Sequence, residues 1–210
     1  METLIKFKDL TVESLKNHKK LIIGLYVLFI ICFIGGWILS ADVVNSALNS
    51  TVPSNGTQLN SEINALDLFI HNEAGGILTY VASLFFAIPA VVMIIFNGAN
   101  LGAAGALFNS LMPNGCLRYV IYLIPHGIFE ITATVIQSAA GILLFLFILG
   151  FVRSAISKDT DGVSQAFDKN KKVLIHSIIL MIFSTILLLI AAPLEAYFSV
   201  PFSDFIMNLL

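Results

Sequence analysis

The sequence predicts an all-α, polytopic transmembrane helical bundle of about five spans. One of those spans is short or re-entrant, and an amphipathic interfacial helix precedes them. Three observations predict this. Of 210 residues, 58% are hydrophobic and only 11% are charged, against about 25% charged in a soluble domain. Apolar runs of ~20 residues, the length that crosses the hydrocarbon of a bilayer, recur along the chain. Finally, Lys and Arg gather in residues 1–20 and 153–172 and are absent from 42–72 and from the tail after 192.

Each element follows from its own residues. In 1–20, Leu4, Ile5, Phe7, Leu10, Val12 and Leu15 alternate with Lys6, Lys8, Lys16, Lys19 and Lys20. That pattern suits a helix lying in the cytoplasmic interface beside anionic lipid. The apolar run 21–41 lacks a small-x-small cleavage pattern and reads as a retained first span, with Trp37 as an interfacial anchor near its outer end. A polar loop, 42–72, follows. The second span covers about 75–96 and is interrupted by Pro89. Next, 98–112 is rich in Gly and Ala and is too short for an ordinary lipid-facing span. The long apolar stretch 119–152 comes after Arg118, then the basic loop 153–172 and a last span over 173–192. Residues 21–210 thus read as one membrane-embedded domain, with no room for a separate soluble catalytic domain.

The distribution of Lys and Arg orients the bundle. The N-terminus and the loop 153–172 are expected in the cytoplasm, and the loop 42–72 and the C-terminus outside. Opposite ends require an odd number of crossings, hence five. Either 98–112 crosses, or 119–152 enters, turns near Pro125–Gly127 and returns. Two glycosylation triplets, at Asn49 and Asn55, agree with an external loop. No basic cluster interleaved with aromatics suggests nucleic acid. Cys32 and Cys116 read as small hydrophobes rather than a redox pair.

The segment Tyr122–Glu130, YLIPHGIFE, carries the strongest chemical signal. It places His126 and Glu130 four residues apart, on one helix face, inside an otherwise apolar stretch. A carboxylate at bilayer depth costs about 2.5–3.5 kcal/mol on insertion scales, so it needs a partner, a wet cavity or a function. Two readings follow: a proton-accepting or ion-contacting pair, with Asn97 and Asn100 lining a polar path, or a hydrogen-bonded joint that holds a broken helix. Pro125 is expected to start or break that helix. His71, Glu73, His126 and Glu130 are the candidate metal set, although no H-E-x-x-H is present. Gly98, Gly102 and Gly105, with the alanines around them, form a small-residue face for close packing within the chain or across a homodimer. His18 and His176 read as ordinary residues of the cytoplasmic face.

Several motifs occur in one order: Ile70-His71-Asn72, then Asn97-Gly98-Ala99-Asn100-Leu101-Gly102, then Pro125-His126-Gly127-Ile128-Phe129-Glu130, then Glu195-Ala196-Tyr197 with Pro201 after. This set resembles the stage II sporulation protein M family of bacterial and archaeal membrane proteins, from about Asn64 to Pro201. The motif positions are Asn72, Gly98, Gly102, Pro125, Gly127, Glu195 and Pro201. Glu73 after Asn72 departs from the Asn pair expected there. The resemblance implies a multi-span helical protein whose founding member helps anchor a peptidoglycan-degrading complex. It therefore implies a non-enzymatic membrane scaffold or interaction protein without a cofactor, embedded in lipid and acting on an unnamed protein partner. A channel or transporter-like permease is the alternative, and an intramembrane metallohydrolase the minor one. No G-x-S-x-G, P-loop or other nucleophile motif supports an enzyme.

Overall fold

The computed structural model describes residues 2–49, 64–157 and 162–210. Both glycosylation triplets and most of the loop 42–72 lie outside the described residues or their described side chains. The described residues are almost wholly helical: α1 (Glu2–Asn17), α2 (Lys19–Asn49), α3 (Ala65–Ala82), α4 (Ile88–Leu111), α5 (Gly115–Ile156), α6 (Val163–Pro193), a π-helical turn (Leu194–Phe198) and α7 (Ser199–Leu209). Four segments are long and apolar enough to cross a membrane: Lys19–Val44, Ile88–Leu111, Gly115–Ile156 and Val163–Leu209. The protein is a helical membrane protein.

Three boundaries differ from those expected. The run 75–96 is not one span. Ser83 caps α3, and Pro89 sits in the first turn of α4, where its missing N–H costs nothing. The segment 98–112 is accordingly the second half of a 24-residue helix, and the shortest of the long runs is α3, with 18 residues. The chain does not turn back at Pro125–Gly127 either: Pro125 lies inside α5, which is continuous over 42 residues. Finally, the last helix does not end at 192. A π-turn carries it into α7, which packs back along the start of α5.

Contacts fix the direction of each run. Gly98 meets Phe29 of α2, and Gly102 meets Phe33; at both, an added Cβ would overlap α2 backbone. Rising numbers pair with rising numbers, so α2 and α4 run parallel. The small-residue face of α4 is thus occupied by α2 of the same chain. Trp37 joins this seam, lying over Gly105 and edge-on to Tyr119 at 5.9 Å. Tyr119 donates to Leu101 O (2.6 Å), while Gly141 of α5 faces Ala90 of α4, so α5 runs opposite to α4. Helix α3 runs with α5: Asn72 reaches Glu130, and Ser83 reaches Gly141. The α6–α7 run is antiparallel to α5, from Ser177 on Ala140 to Ser203 on Arg118. Five helical runs thus alternate in direction.

Two buried clusters form the core. Ile22, Leu25 and Phe29 of α2 meet Ile94 of α4 and Val135 and Ala139 of α5. Ile136, Ala140 and Leu143 of α5 meet Leu180 of α6. Large apolar side chains such as Ile31, Ile38, Leu39 and Phe85 point outward, as expected where the solvent is lipid.

Candidate functional site

Four polar residues of α5 line up at helical spacing: His126, Glu130, Thr134 and Gln137. Two contacts set their depth. Tyr26 of α2 donates to Thr132 (2.8 Å), and Trp37 of α2 lies against Tyr119. His126 and Glu130 fall between these levels, beside the middle of the apolar run of α2.

Glu73 of α3 is buried, at 8% exposure. Gln137 Nε2 donates to its Oε2 (3.1 Å) and Thr185 Oγ1 donates to its Oε1 (2.7 Å), so each carboxylate oxygen accepts one bond. Gly76 makes this possible, because an added Cβ would overlap the Gln137 amide. One side chain thus joins α3, α5 and α6. Nearby, Tyr80 and Ser177 share a hydrogen bond (2.9 Å) and Ser177 donates to Ala140 O (2.8 Å), linking the same three helices again.

Two to three turns back along α5 the chemistry differs. His126 is 3% exposed. Its Nδ1 lies 2.7 Å from Ser199 Oγ, and that hydroxyl donates to Leu194 O (3.0 Å), five residues back across the π-turn. A serine hydroxyl carries one hydrogen. With that hydrogen on Leu194 O, Nδ1–H is the donor and Nε2 is left bare; with it on Nδ1, Nε2–H faces Glu130. Nε2 faces Glu130 Oε2 at 4.0 Å, too far for a hydrogen bond. Asn72 donates to Glu130 Oε1 over a long 3.4 Å. Glu195, carried by the π-turn, completes a group in which one ligand atom from each of His126, Glu130 and Glu195 lies within 4.8 Å of the others.

Glu130 also lines a cavity of about 440 Å³ between α3, α4 and α5, together with His71, Asn72, Asn97, Thr134 and Gln137. Leu78, Val92 and Phe96 at its edge are exposed. The volume falls within the roughly 300–1,000 Å³ of small-molecule sites.

The structure therefore joins some of the expected site residues and separates others. His126 and Glu130 share a cluster, and Asn97 shares the cavity with Glu130 while its amide donates to Met93 O (2.9 Å). Asn100 is exposed and does not line that cavity. The metal set drawn from the sequence divides: His71 is exposed, and Glu73 is already occupied by Gln137 and Thr185. Gln137, Thr185 and Ser199 were not anticipated. Gln137 was readable, seven residues beyond Glu130 on one helix face; Thr185 and Ser199 carry no local signal.

A second polar cluster holds α1 to α6 at the opposite end. Lys172 Nζ lies 2.6 Å from Glu13 Oε1, and His18 Nε2 lies 3.0 Å from His176 Nδ1. The hydrogen bond and charge of Lys172 hold the Glu13 carboxyl below the usual range. Burial, and then the neighbouring His176, push His18 below its ordinary value.

The family model described as Stage II sporulation protein M matches residues 25–200. No curated protein and no solved structure matches the chain.

Proposed function

The chain belongs to the stage II sporulation protein M family, and from that premise we propose that it is a non-enzymatic membrane scaffold. Its polar interior holds the helices in register so that its ends present a fixed surface to a protein partner. The observation that carries this reading is Glu73, whose two oxygens are both spent on other helices. Polar side chains used this way act as glue between helices. In this reading five runs cross the bilayer, with α3 as the short span at about 27 Å. The N-terminus and the 153–172 end face the cytoplasm by the distribution of Lys and Arg, and the C-terminus faces out.

The cavity at Glu130 favours a second reading, a permease with Asn97, His126 and Glu130 along a solute or ion path. One experiment separates the two. The purified chain is reconstituted in proteoliposomes, and flux of protons, sodium, potassium and phosphate is measured for wild type, Glu130→Gln and His126→Ala. The scaffold reading expects no flux above empty vesicles in any of them. Flux in the wild type that both substitutions abolish, with the fold intact, would establish the permease instead.

A further inference from the structure

We propose that His126, Glu130 and Glu195 form a binding site for one divalent transition-metal ion, of the zinc or manganese class, at membrane depth. One ligand atom from each residue lies within 4.8 Å of the others. An imidazole nitrogen and two carboxylates are the donor set such ions take, with about 2.0–2.2 Å to nitrogen or oxygen. Binding requires the two glutamate side chains to rotate from the 4.8 Å spacing to that distance from the ion.

Three further features point to a cation. First, the imidazole is held in place for one: Ser199 Oγ lies 2.7 Å from Nδ1, and in the tautomer with Nδ1–H donating to Ser199 the bare Nε2 faces Glu130 at 4.0 Å. Metal-binding histidines are held in this way, the other ring nitrogen donating to a fixed acceptor. Second, the charges do not balance. Glu195 has no hydrogen bond or ion pair among the described residues, and Glu130 has one long bond from an amide. The nearby cation, Arg118, pairs with Asp204 at 2.9 Å. Two carboxylates facing each other at bilayer depth without a cation are costly. Third, the backbone is irregular at this point. The π-turn Leu194–Phe198, directly after Pro193, carries Glu195 and places Ser199 against Leu194 O. Single π-turns inside helices recur at functional sites.

The site does not depend on the scaffold reading. A bound ion would fasten the start of α7 to α5 whether or not anything passes through the cavity.

The test uses the full chain, purified in detergent, stripped with chelator and then equilibrated with Zn2+ or with Mn2+. Elemental analysis is expected to return about one ion per chain for one of these metals, and the ion to raise the unfolding midpoint. His126→Ala and Glu195→Gln are expected to lose the ion. Ser199→Ala, which frees Nδ1, weakens binding about tenfold. His71→Ala, at the cavity rim, keeps it. Folding of each variant is checked by size exclusion. Co2+ loaded into the wild type is expected to shift its d–d bands from those of the free ion, a readout that needs no variant. No uptake of either metal by the stripped wild type would overturn the proposal and leave a proton shared by the three groups. So would uptake that His126→Ala and Glu195→Gln leave unchanged.

Discussion

Glu73 and Glu130 are both carboxylates inside the same helical bundle, each contributed by a long helix and each near the α3–α5 contact. Glu73 has a donor for each oxygen, from two different helices. Glu130 has one stretched amide contact, a histidine nitrogen at 4.0 Å and a second carboxylate, Glu195, close by. The difference teaches how to tell glue from a site. A buried charge that is saturated locks helices together. One that faces another charge of its own sign is waiting for a cation or a proton.

The largest expected effect breaks the saturated half. Glu73→Ala strands the Gln137 amide, at about 1–3 kcal/mol for the lost partner, while the Thr185 hydroxyl keeps Met181 O at 3.1 Å. Stability measured by thermal or denaturant unfolding in detergent is expected to fall by roughly 1–3 kcal/mol. Gly76→Ala acts on the same joint from the side, forcing Gln137 away from Glu73, with an overpacking cost of about 1–3 kcal/mol. The same assay checks it. The unsaturated half behaves differently. In the metal-stripped protein, Glu130→Gln replaces a carboxyl that must hold a proton or face the Glu195 charge, and stability is expected not to fall, with a gain of roughly 0–1 kcal/mol.

Much of this was legible beforehand, for identifiable reasons. Spanning helices announce themselves because each must satisfy its own backbone and face lipid. The pair His126 and Glu130 stood out because charge is rare at that depth. Punctuation was misleading. The segment 98–112 read as too short for a span, yet it is the second half of α4, and its small-residue face, readable as a packing surface, is filled by α2. Pro125 looked like a break, yet a packed bundle tolerates a proline inside a helix. Pro89, read as a mid-span interruption, is where α4 begins. The partners of the two carboxylates were hidden for a different reason. Thr185 lies 112 residues from Glu73, and Ser199 lies 73 residues from His126. Only the antiparallel run of α6 and α7 along α5 brings them there.

The far cluster sharpens the comparison, because it is partly hydrated and titrates. His18 sits below its ordinary 6.5 through burial and His176. The docked state therefore resists protonation, and docking of α1 is lost as the pH falls through the ordinary value toward the lowered one. Glu13, lowered from 4.5 by Lys172, acts in the same direction: its contribution is present above that value and disappears as the pH falls through the lowered one. Protection of α1 amides, corrected for the intrinsic exchange rate at each pH, is expected to fall as the pH drops below about 6.5, while the corrected protection around Glu73 is unchanged. The smallest effect belongs to the half-exposed Arg118–Asp204 pair. Asp204→Asn is expected to change stability by roughly 0–1 kcal/mol.

The most direct measurement is the unfolding of metal-stripped wild type, Glu73→Ala and Glu130→Gln side by side in one detergent. The predicted result is a large loss for Glu73→Ala and no loss for Glu130→Gln. Equal losses for both would show that the two carboxylates do the same structural work and would contradict the distinction between them.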